Sequence, residues 1–189
     1  MQLRLCLKSL LSTAWSTRST ISHMKAIGTA FRCRFTRELP EMSKPLPPVT
    51  FVVCIVFAGV IYALIPGPRI IPFPINLGGT LPIVAGIYLL IAGSQLFSRA
   101  NTNINTFLKP DKLVTTGVFR FSRNPMYLGF VVTLAGVCTV MGFLAPFSAV
   151  IVFFLVCQFW YIPLEERNCQ DVFGEAYAAY SRRTRRWLG

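Results

Sequence analysis

The sequence predicts an all-α integral membrane protein with about four transmembrane helices, a helical hairpin and a C-terminal amphipathic helix. Of its 189 residues, 53% are hydrophobic and 14% are charged, whereas an ordinary soluble domain has about 25% charged residues. The mean hydropathy is +0.55. Long stretches without charge separate Lys44 from Arg69, Arg69 from Arg99, and Arg123 from Glu165. This composition argues against a disordered chain or a small disulfide scaffold.

Residues 1–41 differ in composition from the rest of the chain. They contain seven basic residues and ten serines or threonines, and the first acidic residue is Glu38. A segment rich in Arg and Ser and poor in acids is typical of an organellar transit peptide. The alternative is a mis-assigned start, with initiation at Met24 or Met42. In both interpretations residues 1–41 are an extension and residues 42–189 form the membrane domain.

The first two charge-free stretches each predict one span. The first span covers residues 49–65 and ends at the sequence Pro66-Gly67-Pro68, which a helix does not continue through. The second covers residues 78–97.

The third stretch must fold back on itself. Its 41 uncharged residues would form a helix of about 60 Å, twice the roughly 30 Å hydrocarbon core. The sequence from Met141 to Pro146 supplies the break, because Gly142 loosens a helix and Pro146 restarts one. This predicts a hairpin of two spans, 126–141 and 147–164. The following tail, 165–187, has apolar residues at helical spacing and predicts an amphipathic helix.

Basic residues are distributed unevenly between the two ends of the predicted bundle. Five lie in the loop 98–125 and five in the tail, whereas the opposite end has Arg69. The positive-inside rule therefore places both termini in the cytoplasm or its equivalent. We expect a multi-pass protein of a bacterial inner membrane or of a eukaryotic endomembrane or organelle. The formal charge of +12 reflects this asymmetry, so no nucleic-acid partner is expected. The tail arginines beside Trp187 suit anionic lipid headgroups.

Metal-ligating and nucleophilic patterns are sparse. The six cysteines have no CxxC spacing, and the only histidine, His23, lies in the extension. Cys54, Cys138 and Cys157 lie in apolar runs and are expected to be buried. We predict no metal site and no Ser–His or Cys–His pair in the membrane domain.

Two adjacent carboxylates, Glu165 and Glu166, directly follow the fourth predicted span. A carboxylate at mid-bilayer costs about 2.5–3.5 kcal/mol, and less at the interface. The negative end of a helix dipole adds to this cost. A cation should therefore offset the pair. Arg120 and Arg123 could do so structurally, and so could the ammonium or sulfonium of a ligand.

Residues 113–127 combine polar donors with turn-forming residues. Gly117 permits a tight turn and Pro125 fixes the entry to the third span. The Arg, Asn and Tyr side chains of this segment could donate hydrogen bonds to a carboxylate, a ribose or an adenine. The alternative is a polar helix entry with snorkelling arginines.

Considered together, these motifs resemble the isoprenylcysteine carboxyl methyltransferase and phospholipid methyltransferase superfamily. Its pattern is LVT-x-G-x-(Y/F)-x-x-x-R-(H/N)-P-x-Y, a helical hairpin, EE and FG-x-x-Y-x-x-Y. The resemblance covers about residues 97–187 and implies a membrane methyltransferase that uses S-adenosyl-L-methionine, bound at the cytoplasmic end of the bundle. It implies cofactor-binding roles for Lys112, Leu113, Val114, Phe119, Asn124, Pro125, Met126, Tyr127, Glu165 and Glu166.

The resemblance also implies direct methyl transfer to a lipid or lipophilic substrate, either a prenylcysteine carboxylate or a phospholipid-like molecule. Two departures argue against the prenylcysteine carboxylate. The prenylcysteine enzymes have His where this chain has Asn124, and an Arg credited with gripping the substrate carboxylate where this chain has Tyr161. Tyr161 is thus the position predicted to bind substrate. No catalytic base is assigned. For an amine or thiol substrate, which must first lose a proton, Glu166 is a candidate for that base.

Two other functions fit some of these features. Membrane sterol reductases have a similar C-terminal hairpin and use NADPH. A non-catalytic membrane protein, such as a small transporter or an assembly factor, would bind no nucleotide-like cofactor. The glutamate pair favours a sulfonium over the phosphates of NADPH, and we expect the methyltransferase.

Overall fold

A computed structural model describes residues 45–100 and 111–188, and every regular element in these ranges is helical. The predicted extension, 1–41, lies outside the described residues, so both of its interpretations stay predictions. The six α-helices are α1 (Pro47–Leu64), α2 (Thr80–Ala100), α3 (Pro125–Met141), α4 (Phe147–Val156), α5 (Ile162–Phe173) and α6 (Glu175–Arg183). Short 3₁₀ turns, Ile75–Gly79 and Gly117–Arg120, precede α2 and α3.

Within residues 45–100 and 111–188, three helical segments are long and apolar enough to cross a membrane: Pro47–Leu64, Ile75–Ala100 and Phe147–Phe173. The third joins α4 to α5 through a π-helical turn, Cys157–Tyr161. The third predicted span, α3, is an apolar helix of 17 residues, about 25 Å long. It packs most extensively against α2, so other helices cover much of its length. The prediction of an all-α membrane protein is confirmed.

A line of glycines allows α2 and α3 to approach closely. Gly79, Gly86 and Gly93 are spaced by seven residues, which places them on one face of the helix. A Cβ atom on Gly86 would lie 2.6 Å from the carbonyl oxygen of Gly129 on α3, and one on Gly79 would lie 2.6 Å from that of Gly136. Small residues at helix contacts are a common packing device in membranes. This seam fixes α3 at the centre of the bundle.

The hairpin turns where the sequence predicts. Gly142 ends α3 with φ of +78°, a conformation that glycine adopts readily. Its carbonyl oxygen accepts hydrogen bonds from the backbone of Ile70 and Ile71, at 2.9 and 3.1 Å. The Asn76 amide donates to the Val140 carbonyl at 2.7 Å. These hydrogen bonds therefore join the connection between α1 and α2 to the end of α3.

The tail differs from the single helix predicted over 165–187. The last spanning segment continues to Phe173, and Gly174, with φ of +48°, separates it from α6. α6 ends at Arg183, and the backbone of Thr184 is extended. As a result α6 turns back over the end of the bundle. The cysteines of the apolar runs, Cys54, Cys138 and Cys157, are buried as predicted.

Candidate functional site

A cavity of about 350 Å³ opens where the ends of the helices meet the polar turn before α3. All ten residues predicted to bind a cofactor line it: Lys112, Leu113, Val114, Phe119, Asn124, Pro125, Met126, Tyr127, Glu165 and Glu166. The fold thus brings together two segments that are about forty residues apart in the sequence. The resemblance to the methyltransferase superfamily implied a common site, and these residues line one cavity in the structure.

The remaining wall comes from residues for which no cofactor-binding role was predicted. They are the start of α1, the end of α2 and the side chains that face the cavity from α3, α5 and α6: Leu46, Pro47, Pro48, Phe97, Arg123, Phe130, Asn168, Cys169, Phe173, Tyr177 and Tyr180. Phe173, Tyr177 and Tyr180 belong to the apolar face predicted for the tail helix, which indicated packing or anchoring at the membrane interface. Tyr177 and Tyr180 reach the cavity because the chain turns at Gly174 before α6 begins.

Tyr127 and Glu165 form the contact at the centre of the site. The Tyr127 hydroxyl donates a hydrogen bond of 2.8 Å to Oε1 of Glu165. Tyr127 lies in the first turn of α3, where Pro125 occupies the start of the helix. Its side chain is 5% exposed, so its hydroxyl is held in place by packing. The Glu165 carboxylate is therefore presented to the cavity in a defined orientation.

Glu166 is held by two arginines. Nη2 of Arg123 lies 3.3 Å from Oε1, and Arg186 donates from Nε and Nη2 to the two carboxylate oxygens at 3.1 and 2.5 Å. The expectation that Arg123 offsets the glutamate pair is met at Glu166. The second partner is Arg186, whereas Arg120, the other expected cation, is exposed and lines a different cavity. The reason is geometric: the chain beyond α6 passes directly over Glu166.

Residues 184–187, which we name the C-terminal strap, bind the polar turn before α3. The backbone N–H of Arg123 donates to the Arg185 carbonyl at 3.0 Å, and the Asn124 amide donates to the Arg186 carbonyl at 3.0 Å. Trp187 donates to the Gln158 side chain at 2.8 Å and stacks on Phe154. The strap therefore fixes both Asn124 and the Glu166 carboxylate.

Two tyrosines of α6 complete this end of the site. Arg123 donates to the Tyr177 hydroxyl at 3.3 Å, and the Tyr180 hydroxyl donates to the Phe119 carbonyl at 2.7 Å. Burial, with a smaller effect of the Glu166 carboxylate, raises the pKa of Tyr177 to about 12. Burial likewise raises the pKa of Tyr180 to about 12, and the hydrogen bonds that Arg186 donates to Glu166 raise the pKa of Arg186. At neutral pH both phenols are uncharged and the guanidinium is charged.

Tyr161, the residue predicted to bind substrate, does not appear in the cavity wall. It is fully buried in the π-helical turn, and its hydroxyl lies 2.6 Å from the Pro45 carbonyl and 2.7 Å from the Thr50 hydroxyl. Its ring stacks on that of Tyr127, with centroids 6.0 Å apart and 13° between the planes. Tyr161 therefore contacts the site through Tyr127, and its role toward substrate stays a prediction.

Comparison with known proteins identifies the family. Residues 75–176, just over half of the chain, match the family model described as phospholipid methyltransferase. The chain belongs to the phospholipid methyltransferase family. The matched range contains all ten predicted cofactor residues, and it confirms the resemblance on which those predictions rest. In this family member α6 beyond Ala176 and the strap lie past the matched range.

One curated relative is Protein-S-isoprenylcysteine O-methyltransferase B of Arabidopsis thaliana. It is 36% identical over 74 residues, which are 38% of this chain and 36% of the relative. The match thus spans little more than a third of that protein's length. No solved structure matches the chain.

Proposed function

We propose that this family member transfers a methyl group from S-adenosyl-L-methionine to a lipid or lipophilic substrate. The observation that carries the proposal is the Glu165 carboxylate, oriented by Tyr127 at the wall of a largely apolar and aromatic cavity. The ammonium and sulfonium of the cofactor are cations, and a fixed carboxylate in a site of low dielectric attracts a cation strongly. The family match supports the methyltransferase over a reductase that uses NADPH.

The residues of the cavity fit such a cofactor. Its volume of about 350 Å³ lies within the roughly 300–1,000 Å³ of small-molecule sites. Glu165 would bind the cationic part. Leu113, Val114, Phe119 and Met126 would pack against the adenine. Lys112 and Asn124 would supply polar contacts.

The cofactor supplies a methyl group that already carries its leaving group. The chain must therefore orient the reactants and exclude water. Tyr127 and Glu165 do the orienting, and the apolar wall excludes water. Glu166 uses both carboxylate oxygens on arginines, so we assign it to holding the strap and name no catalytic base.

The lipophilic part of the substrate would lie against the apolar side of the cavity. That side includes Leu46 and Pro47 at the start of α1, Phe97 at the end of α2, and Phe130 of α3. Of these helices, α1 and α2 carry exposed apolar side chains along their length. A substrate dissolved in the membrane could reach the cavity along this surface.

We propose a topology of four passes with both termini on the cytoplasmic side. Support comes from the basic residues of the cavity end, among them Arg99, Arg120, Arg123 and Arg186, against Arg69 at the hairpin end. The positive-inside rule places the cavity end in the cytoplasm. Either a bacterial inner membrane or a eukaryotic endomembrane or organelle would fit.

Calorimetric binding of S-adenosylhomocysteine to the detergent-purified full chain tests the cofactor proposal. We expect saturable binding that Glu165→Gln weakens at least tenfold. The matched control is Glu175→Gln, which removes an exposed carboxylate of α6 and should leave the affinity unchanged. Thermal unfolding of each variant shows that it is folded.

Binding of NADPH in place of S-adenosylhomocysteine would overturn the proposal in favour of a reductase. Binding of neither by folded protein would indicate a non-catalytic role. If binding is found, transfer of labelled methyl groups from S-adenosyl-L-methionine into a membrane lipid extract identifies the substrate class. Methylation of soluble acceptors alone would contradict a lipophilic substrate.

A further inference from the structure

A second cavity, of about 510 Å³, lies on the other side of Tyr180 from the first. The described residues that line it are Thr115, Arg120, Ala176, Ala179, Tyr180, Arg183 and Thr184. Among the residues that the structure describes, Tyr180 alone lines both cavities. Two of the seven are arginines and none is acidic, so this wall has a net positive charge.

The fold brings the two arginines to this cavity from distant parts of the sequence. Arg120 ends the 3₁₀ turn before α3, and Arg183 ends α6. Tyr180 holds the turn through its hydrogen bond to the Phe119 carbonyl, at 2.7 Å, and the Thr184 hydroxyl lies 3.5 Å from the Arg120 carbonyl. The guanidinium groups of Arg120 and Arg183 therefore come together through tertiary structure, whereas the arginines of the tail are neighbours in the sequence.

Neighbouring arginines at this end bind carboxylates. Arg123 and Arg186 hold Glu166, and Arg182 lies 3.9 Å from Glu175. Within the described ranges Arg120 and Arg183 form no ion pair. Their charges are thus available to an anion in the cavity.

Exposed apolar side chains lie close to the two arginines in the sequence. Phe121, next to Arg120, is 70% exposed, and Leu188, beyond the strap, is 63% exposed. Arginines next to exposed aromatic and aliphatic residues at the end of a bundle are typical of the membrane interface. The anionic group found at that level is a lipid phosphate, which guanidinium groups bind with directional hydrogen bonds.

We propose that the Arg120–Arg183 cavity binds the phosphate of an anionic lipid headgroup, at a site separate from the cofactor cavity. The bound lipid would tie the turn before α3 to the end of α6. It would thereby fix Phe119, whose side chain lines the cofactor cavity.

Titration of the detergent-purified full chain with short-chain phosphatidylglycerol, and with phosphatidylcholine for comparison, tests the site. We expect tighter binding of phosphatidylglycerol. Arg120→Gln and Arg183→Gln should each weaken that binding about fivefold, the usual contribution of one basic residue at an anionic surface. Arg182→Gln removes the same charge one residue away, at an arginine that faces Glu175, and should have a smaller effect.

The same samples distinguish the sources of phosphate and the two cavities. Inorganic phosphate that bound as tightly as phosphatidylglycerol would overturn the assignment to a lipid. Equal binding of the two lipids, or equal losses in Arg182→Gln and Arg183→Gln, would show attraction by general charge and overturn the site. S-adenosylhomocysteine binding that persists in Arg183→Gln supports two separate cavities.

Discussion

The guanidinium of Arg186 and the carboxylate of Glu166 are joined by two hydrogen bonds, of 3.1 and 2.5 Å, across twenty residues of sequence. Arg123 approaches the same carboxylate from the turn before α3. One glutamate at the end of a spanning segment therefore connects three parts of the chain. The site depends on this connection because the strap also holds Asn124.

Replacing Arg186 by glutamine should lower the free energy of unfolding by about 1–2 kcal/mol, because a charged hydrogen-bonded pair is lost but both groups keep some contact with water. The change is measured by thermal or chemical unfolding in detergent. Arg182→Gln is the matched control, since its ion pair with Glu175 is solvent-exposed. The double variant with Glu166→Gln should lose less than the sum of the single changes. Equal stability of the two arginine variants would contradict a role for the strap.

Replacing Tyr127 by phenylalanine should weaken S-adenosylhomocysteine binding about tenfold. The change removes the hydrogen bond that orients Glu165, and such bonds to charged groups contribute about 1.5–3 kcal/mol. Calorimetry gives the dissociation constant. Tyr88→Phe, which alters an exposed tyrosine of α2, should leave it unchanged. Unaltered binding in Tyr127→Phe would contradict the role that the cofactor proposal gives to the oriented Glu165 carboxylate.

Replacing Tyr161 by phenylalanine distinguishes a structural role from substrate binding. The ring stacking on Tyr127 should survive, whereas the contacts of the hydroxyl with Pro45 and Thr50 are lost. We expect a loss of about 1–2 kcal/mol in unfolding free energy and unchanged affinity for S-adenosylhomocysteine. A normal stability combined with a raised KM for the methyl acceptor would instead support direct contact with substrate.

Replacing Gly86 by alanine tests the glycine seam. A Cβ atom there would lie 2.6 Å from the Gly129 carbonyl oxygen, so α2 and α3 must move apart. Overpacking of this kind costs about 1–3 kcal/mol, measured as a lower unfolding temperature. Gly59→Ala is the control within α1, because nothing lies within 4 Å of its added Cβ. A seam that tolerated Gly86→Ala as well as Gly59→Ala would be looser than the structure shows.

Alkaline pH should destabilise the protein through Tyr177. Its pKa is about 12 in the folded chain, against an ordinary value of 10.0, so the folded state holds the phenolic proton more tightly than the unfolded state. The resulting stabilisation is complete below pH 10 and is lost as the pH rises through 12. Unfolding temperatures across this range should fall less steeply in Tyr177→Phe. Tyr88→Phe should retain the decline, and equal slopes in both variants would contradict the assignment.

Much of the fold was predictable because a lipid environment leaves few choices. A charge-free run in a membrane must form a helix that satisfies its own backbone. The predicted spans 49–65 and 78–97 accordingly lie close to α1 and α2. The hairpin break was also predictable, since Gly142 and Pro146 mark it locally.

Contacts between residues that are distant in the sequence were harder to predict. The charge of the glutamate pair predicted a cation near Glu166. The sequence could not show that this cation is Arg186 and not Arg120, because the answer depends on the path of the chain after Gly174. The seam of Gly79, Gly86 and Gly93 has a visible seven-residue spacing. Its meaning emerges only when α3 presents Gly129 and Gly136 to the same face.

The strap has a consequence for how the protein is made. Residues 184–187 leave the ribosome after all three segments that are long enough to span the membrane. During insertion Glu166 must therefore rely on Arg123, and the turn before α3 lacks the carbonyls that later fix Asn124. A nascent chain interrupted between α5 and the strap would insert its helices yet leave the pocket unfinished. Translation order thus delays completion of this pocket until the strap has been added.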